Sequence, residues 1–328
     1  MIQQQQFAEV ADLIKESRFR AIKAVNTVLI DLYWEIGKYI HTKIETSQWG
    51  RSIVDELATY LHSTEPALKG FSNKNLWRMR QFYQTYRDHE KLSPLVREIS
   101  WTNNLTIFSR CRTIEEREFY LLLTKRENYG KRELERQISA GQFERTMLGN
   151  TILSPVVREL HPEAVNTFKD SYIFDFLNLK DSFKEGDLQK GLIAQMKEFI
   201  LELGKDFLFF GQEYKLQVGN SDFYIDLLFY HRTLQCLVAF ELKAGKFKPE
   251  HLGQLNFYLE ALDRDVKKQH ENPSIGILLC KDKDNEVVEY SLGRSLSPTM
   301  VAQYRTQLPD KKLLQEKMQE IFINSSEG

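Results

Sequence analysis

The sequence predicts an all-α domain followed by an α/β domain with a mixed sheet flanked by helices. Before residue 150, apolar residues recur at the spacing of amphipathic helices. After residue 187, runs of β-branched and aromatic residues with the length of strands alternate with helical segments. Between them, Pro155, Pro162 and the aromatic string SYIFDFLNL are typical of a packed connector. We therefore predict a helical domain at 1–150, a connector at 151–186 and an α/β domain at 187–328.

The composition is that of a soluble globular protein, with 42% hydrophobic residues, 28% charged residues and a net charge of −1 over 328 residues. The first residues, MIQQQQFAEV, lack the apolar run of a signal peptide, and no stretch has transmembrane length. Cys111, Cys236 and Cys280 are widely spaced and odd in number, which predicts reduced thiols and no zinc site. We expect a cytoplasmic protein without a membrane partner or a small-molecule cofactor.

The helical region contains a helix-turn-helix pattern. Helices are predicted at 6–46 and 53–61, and Pro66 and Gly70 mark the turn that follows. Ser72 is a suitable N-cap for a helix from residue 73 to about 86, whose inner face is apolar. Further helices are predicted at 115–124 and 131–138.

The segment 69–97 is the basic part of this region, with seven basic and two acidic residues. In a helix-turn-helix, the first residues of the second helix contact base edges. The corresponding residues here are Asn73, Lys74, Asn75, Arg78 and Arg80. The alternative is a helical hairpin with a solvated basic face, which composition alone favours.

The α/β region is predicted element by element from its apolar runs and its breakers. In chain order we expect helix 188–203 ending at Gly204, strand 207–218, a hairpin of strands 223–230 and 237–243, a helix beginning near Pro249, strand 274–280, helix 286–292, a last edge strand at 299–304 and a terminal helix at 311–322.

Three charged residues, Asp226, Glu241 and Lys243, interrupt the apolar strands of this hairpin. A four-residue loop at 232–235 would place Tyr230 opposite Leu237 and Asp226 opposite Glu241, because side chains alternate along a strand. An isolated Glu-x-Lys usually belongs to a solvated face, but unpaired buried charge is costly. Two carboxylates in such a place are typical ligands of a hard cation such as Mg²⁺.

On the next helix, Gln254 and Tyr258 are four residues apart and share a face. The order Asp, Glu-x-Lys and Gln-x-x-x-Tyr resembles the PD-(D/E)xK nucleases, in the branch that contains RecB-type and phage exonucleases. The strings DFYIDLLFYHR, FELKAGKFKPE and GQLNFYL resemble one family within that group, the YhcG-like PDDEXK proteins. From residue 49 to about 145, GFSNKNLWRMRQFY, REFY and RELERQI resemble the N-terminal domain of the same family.

The resemblance implies a restriction-endonuclease-like α/β core behind a winged-helix-type DNA-binding module. It implies a metal-dependent DNA nuclease in a defence, recombination or mobile-element context, and it allows a homodimer. Asp226, Glu241 and the backbone carbonyl of Leu242 would bind Mg²⁺ or Mn²⁺, and Lys243 would activate the attacking water. Gln254 would orient a phosphate or that water, with Tyr258 in support. The alternatives are a non-catalytic DNA-binding protein that keeps the fold, and an RNA nuclease.

Two positions depart from the family pattern. Where related nucleases often carry a metal-binding Glu on the first core helix, this chain has Gln189, a neutral oxygen ligand. Glu185 and Glu198 are the nearby acidic residues, but neither stands at the matching position. In the helical domain, Trp101-Thr102-Asn103 stands where a Trp-Ser/Thr-His triplet is usual, which leaves the role of that place open.

Overall fold

The computed structural model describes residues 2–46, 50–67, 69–149, 151–179 and 182–326. Trp49, where the resemblance of the helical region begins, lies outside these residues. The chain divides into two compact units, Met1–Ile138 and Ser139–Gly328. The predicted division at residues 150 and 186 stays a prediction.

The first unit is helical, as predicted. Its helices are α1 (Ile2–Glu45), α2 (Arg51–Thr64), α3 (Asn73–Tyr86), α4 (Ser93–Glu98), α5 (Trp101–Arg110), α6 (Ile114–Glu127) and α7 (Lys131–Ser139). The described residues of this unit contain no strand, so they do not form the paired strands of a wing. Eight residues separate α2 from α3, a longer connection than the three- or four-residue turn of a compact helix-turn-helix.

The core of this unit lies between α1 and α3. Leu76, Met79 and Phe82 on α3 are fully buried, which confirms the predicted inner face of that helix. The two helices approach closely at Gly37, where a Cβ atom would stand only 2.1 Å from the carbonyl oxygen of Met79. This contact fixes which face of α3 is turned away from the core, and Lys74 lies on that exposed face.

The second unit is built on a mixed sheet, as predicted. Its strand order is β1-β6-β5-β4-β3-β2. The strands are β1 (Ser171–Ile173), β2 (Phe207–Val218), β3 (Ser221–His231), β4 (Cys236–Lys246), β5 (Ile275–Asp282) and β6 (Thr299–Arg305). The pairs β2–β3 and β3–β4 are antiparallel, whereas β4–β5, β5–β6 and β6–β1 are parallel.

Helices cover both faces of this sheet. The helices of this unit are, in chain order, α8 (Gln142–Leu148), α9 (Pro155–Leu160), α10 (Ala164–Thr167), α11 (Glu185–Ala194), α12 (Met196–Leu203), α13 (His251–Ala261), α14 (Asn285–Leu292) and α15 (Lys311–Ser326). One core contains Leu188 of α11 and Phe199 of α12, and the other contains Leu255 of α13 and Val288 of α14. Burial on both faces explains why β3 and β4 are almost continuously apolar.

The structure corrects two sequence predictions. Residues 188–203 form two helices, because Gln195 (φ −115°, ψ 37°) leaves the helical conformation between α11 and α12. The bend lets both helices bury apolar residues in the same core. Residues 299–304 are not an edge strand, since β1 pairs in parallel with β6 and forms the edge itself. A three-residue strand inside a connector is too short to show a pattern in the sequence.

Candidate active site

The β3–β4 hairpin has the predicted register. Tyr230 is paired with Leu237, and residues 232–235 form the connecting loop. The pairing ends at Leu227 and Phe240, so the two strands separate at the next residues, Asp226 and Glu241. The carboxylates therefore lie where β3 and β4 diverge.

Asp226 is held from two sides at this point. Its Oδ2 accepts a hydrogen bond of 2.8 Å from the backbone N–H of Leu242, where a backbone carbonyl of β3 would otherwise serve. Its own backbone carbonyl accepts a 3.0 Å hydrogen bond from Nε2 of Gln189 on α11. Gln189 thus positions Asp226 through its amide nitrogen.

The alternation of side chains along β3 also changes at Asp226. Ile225 and Leu228 pack in the same core although they are three residues apart, which a regular strand would not allow. On the neighbouring β2, Glu213 lies at the same level, between the pairs Gln212–Leu227 and Tyr214–Ile225, and has a φ of 44°. A left-handed glutamate is sparsely populated and typical of functional sites. The irregularity frees Asp226 to turn toward β4.

Glu241 is the carboxylate of the site whose negative charge is least favoured by its surroundings. The residue is 3% exposed, and its Oε2 is buried without a hydrogen-bond partner. Burial and the neighbouring charge of Asp226 raise the pKa of Glu241 to about 7. Burial also raises the pKa of Asp226, although the Leu242 N–H opposes this effect. Both carboxylates would gain from a nearby cation.

Lys243 supplies one positive charge to this group. Its Nζ lies 2.9 Å from Oε1 of Glu241 and 3.5 Å from Oε2 of Glu185. Burial opposes the charged form, but the hydrogen bond to Glu241 and the surrounding carboxylates outweigh it, so the pKa of Lys243 is raised. The side chain is therefore an ammonium that donates hydrogen bonds.

Gln254 and Tyr258 lie together on α13, as their spacing predicts. Nε2 of Gln254 donates a 2.5 Å hydrogen bond to the phenol oxygen of Tyr258. Gln254 is exposed, whereas Tyr258 is 3% exposed. Burial, with smaller effects from Glu241 and Asp226, raises the pKa of Tyr258 and keeps it neutral. The pair offers an amide to solvent beside the carboxylates.

Glu185 is the site residue that sequence reasoning set aside. It is the first residue of α11, its Oε2 contacts Lys243, and its Oε1 accepts a 3.4 Å hydrogen bond from the backbone N–H of Ala244. Glu185 and Gln189 are one helical turn apart and therefore share a face. That spacing is the sequence feature from which Glu185 could have been identified as a site residue.

The donor set suits a hard divalent cation. Asp226, Glu241 and Glu185 offer carboxylate oxygens, which Mg²⁺ and Mn²⁺ prefer over the nitrogen and sulfur ligands of zinc. The unpartnered Oε2 of Glu241 is a buried acceptor that such an ion would satisfy. Within the part of the chain that the structure describes, no three His, Cys, Asp or Glu side chains are grouped closely enough to hold an ion by themselves. The fit therefore rests on two carboxylates, with the Leu242 carbonyl as a predicted further ligand.

The predicted DNA-binding residues of α3 differ in their surroundings. Lys74 is exposed, and Asn73 and Arg78 are half-buried. Arg80 lies over the ring of Trp77, 5.5 Å from its centroid. These four residues lie along one helix, where Lys74 and Arg78 are four apart and share a face.

Asn75 is engaged within the unit. Its Nδ2 donates to the carbonyl of Gly70 at 2.5 Å, and its Oδ1 accepts from Nε1 of Trp101 at 3.0 Å. The amide thereby fastens the turn before α3 to α5. Asn103, from the same unusual triplet as Trp101, is buried and donates to the carbonyl of Tyr129 at 2.8 Å. Trp101 and Asn103 therefore form hydrogen bonds within the helical unit.

Comparisons with known proteins match this chain to a family along almost its whole length. Residues 165–319 match the YhcG PDDEXK nuclease domain, and residues 9–145 match the DUF1016 N-terminal domain. The chain is 31% identical over 346 residues to "Putative nuclease YhcG" of Escherichia coli (strain K12), covering 94% of this chain and 92% of that protein.

Solved structures show a more distant likeness. A repair endonuclease from Pyrococcus abyssi has a TM-score of 0.25 and 13% identity, over 40% of this chain and 50% of its own. EndoMS in complex with double-stranded DNA has a TM-score of 0.24 and 17% identity, over 40% and 49%. Within the described residues, no helix combines the length and the apolar character needed to cross a membrane.

Proposed function

Because the chain belongs to the YhcG family of PDDEXK nucleases, we propose that it hydrolyses phosphodiester bonds of DNA with Mg²⁺ or Mn²⁺ held by Asp226 and Glu241. The observation that carries this proposal is the buried, unpartnered Oε2 of Glu241 beside Asp226. Burying two carboxylates close together costs free energy, and a bound cation would reduce that cost. The helical unit would hold the DNA. The protein would work in the cytoplasm, where free thiols such as its three buried cysteines stay reduced.

Each side chain has a distinct part in this proposal. Such a cation supplies Lewis-acid polarisation of the phosphoryl group and a more acidic bound water. Lys243, as an ammonium aligned by Glu241 and Glu185, offsets phosphate charge and orients the attacking water. Gln254, supported by Tyr258, donates to a phosphate oxygen or that water. Gln189 holds the backbone of Asp226 in place.

The direct test is cleavage by the purified chain of linear, circular, branched and single-stranded DNA and of RNA. Each substrate is incubated with Mg²⁺, with Mn²⁺ and with EDTA. We expect cleavage of DNA that EDTA abolishes and either cation restores. Cleavage of RNA alone would favour the RNA-nuclease alternative, and tight DNA binding without any cleavage would favour the non-catalytic one. Full activity in EDTA would contradict the proposed mechanism.

Glu185 gives a further prediction about the cation. Glu185→Gln removes one negative charge next to Lys243 and the two carboxylates, so we expect the variant to need several-fold more Mg²⁺ for half-maximal cleavage. Gln189→Glu, by contrast, replaces the N–H that binds the Asp226 carbonyl with a carboxylate that repels it, so it should impair cleavage. Calorimetric titration with Mn²⁺ measures the same change without turnover. Identical titration curves for Glu185→Gln and the parent chain would remove Glu185 from the site.

The helical unit gives a prediction about DNA affinity. Replacing Lys74 and Arg78 together by alanine in the full-length chain should weaken DNA binding and reduce its salt dependence, by about one unit of slope for each lost phosphate contact. Fluorescence anisotropy at several salt concentrations measures both. Arg126→Ala is the matched control, because that exposed arginine is paired with Glu127 on α6. An unchanged slope in the double variant would contradict DNA binding through α3.

A further inference from the structure

An aromatic strip lies near the β2 edge of the sheet, next to the candidate active site. It consists of Phe210 and Tyr214 on β2, Phe223 on β3 and Phe257 on α13. The ring centroids of Phe210 and Tyr214 are 5.6 Å apart, and those of Phe223 and Phe257 are 4.6 Å apart. Tyr214 and Phe223 are diagonal neighbours on paired strands, since Tyr214 is paired with Ile225, and both pack against the same core. The two ring pairs therefore lie on the same face of the sheet.

The strip ends at the site itself. The ring of Phe257 lies 6.3 Å from that of Tyr258, which binds Gln254. Phe223 precedes Asp226 by three residues, which is about 10 Å along a strand. A substrate whose phosphate lies at Asp226 and Glu241 would thus reach the strip within a few nucleotides.

The outer rings of the strip are more exposed than a core requires. Phe210 is 53% exposed and Phe257 is 37% exposed. β2 is the outermost strand of the sheet, so its aromatic residues lie at an open edge. Tyr214 and Phe223 pack against the core below and hold the exposed rings in place. Exposed aromatic rings next to a candidate active site are typical of a ligand-binding surface.

The chemistry of the strip selects among parts of a nucleic acid. Its exposed members are phenylalanine rings, which have no hydrogen-bond donors for base edges or for phosphates. Flat rings stack on the faces of bases, and this contact tolerates any sequence. In a duplex those faces are covered by neighbouring base pairs, whereas in a single strand they are free.

We propose that the aromatic strip stacks unpaired bases of a single-stranded DNA segment next to the scissile phosphate. This inference rests on the proposed nuclease function and names its substrate class: single-stranded, flayed or branched DNA. The sheet edge supplies the platform for the bases, and the carboxylates and Lys243 face the backbone.

The test compares the full-length chain with Phe210→Ala, Phe257→Ala and the double variant, in EDTA so that no cleavage occurs. The probes are a 20-nucleotide oligothymidine with one 2-aminopurine, a duplex of the same length and a 20-nucleotide oligouridine. We expect the double variant to bind the DNA single strand at least about tenfold more weakly and to lose 2-aminopurine quenching, with little change for the duplex. Tyr290→Ala is the matched control, because Tyr290 is an 81% exposed aromatic residue on α14.

Several results would overturn the inference. Equal losses for single strand and duplex, no loss at all, or tighter binding of oligouridine than of oligothymidine would each contradict it. A parent chain that is dimeric and a double variant that is monomeric in sedimentation would show that a second copy covers the strip. Phe257→Leu, which keeps apolar bulk but removes the ring, should lose quenching like the alanine variant even if the latter folds poorly. Quenching without cleavage of any substrate would instead count against the nuclease function alone.

Discussion

Replacing Lys243 by alanine is expected to lower the cleavage rate about a hundredfold or more while the protein remains folded and binds DNA. The ammonium lies 2.9 Å from Glu241 and is the only cation that the described residues place against either Glu241 or Glu185. Removing a preorganised group that stabilises developing charge typically costs about 10²–10³ in rate. Single-turnover cleavage, circular dichroism and fluorescence anisotropy measure the three quantities.

A matched control for this variant is Lys190→Ala, because Lys190 is an exposed lysine on the same helix as Glu185. It should cleave at the parent rate. If Lys243→Ala loses cleavage, binding and thermal stability in parallel, Lys243 has a structural role and the proposed assignment is wrong.

Replacing Glu241 by glutamine is expected to abolish cleavage and yet to stabilise the metal-free protein at pH 8. A carboxyl group whose pKa rises on folding binds its proton more tightly in the folded state. Its contribution to stability is therefore present below the unfolded pKa, near 4.5, and is lost as the pH rises to the folded pKa of about 7. At pH 8 the buried charge opposes folding, and an amide of similar shape removes that charge.

The expected gain in the free energy of unfolding is on the order of 2 kcal/mol at pH 8 and close to zero at pH 5. Urea denaturation in EDTA at both pH values measures it. Glu198→Gln on α12 is the control, since Glu198 lies outside the carboxylate group and should change neither stability nor cleavage. A loss of stability in Glu241→Gln at pH 8 would show that Lys243 already compensates the buried charge.

The sequence predicted the central hairpin well because local rules determine it. Alternation, a four-residue loop and the positions of three charges specify which residues face each other, and the observed pairing of Tyr230 with Leu237 agrees. The apolar face of α3 followed from helical spacing in the same way. Such patterns depend on neighbours a few residues away, which the sequence displays directly.

Features that depend on residues distant in sequence were harder to predict. Glu185 joins the site only because α11 packs with its first turn beside β4, which brings its carboxylate to Lys243. Asn75, a predicted base-reading residue, also has a partner that its position in α3 does not reveal, because its Oδ1 accepts a hydrogen bond from Trp101, 26 residues later in the chain. The bend at Gln195 contains neither glycine nor proline, and the shared core behind α11 and α12 accounts for it.

The small strand β1 has a practical consequence for dissecting the protein. Ser171–Ile173 completes the sheet from a segment that precedes α11, and Tyr304 of β6, which β1 covers, donates a hydrogen bond to the carbonyl of Lys243. A fragment beginning at residue 187 would leave the backbone of β6 bare, and bare edges invite intermolecular pairing. We expect such a fragment to aggregate, whereas one beginning before residue 165 should yield soluble catalytic domain.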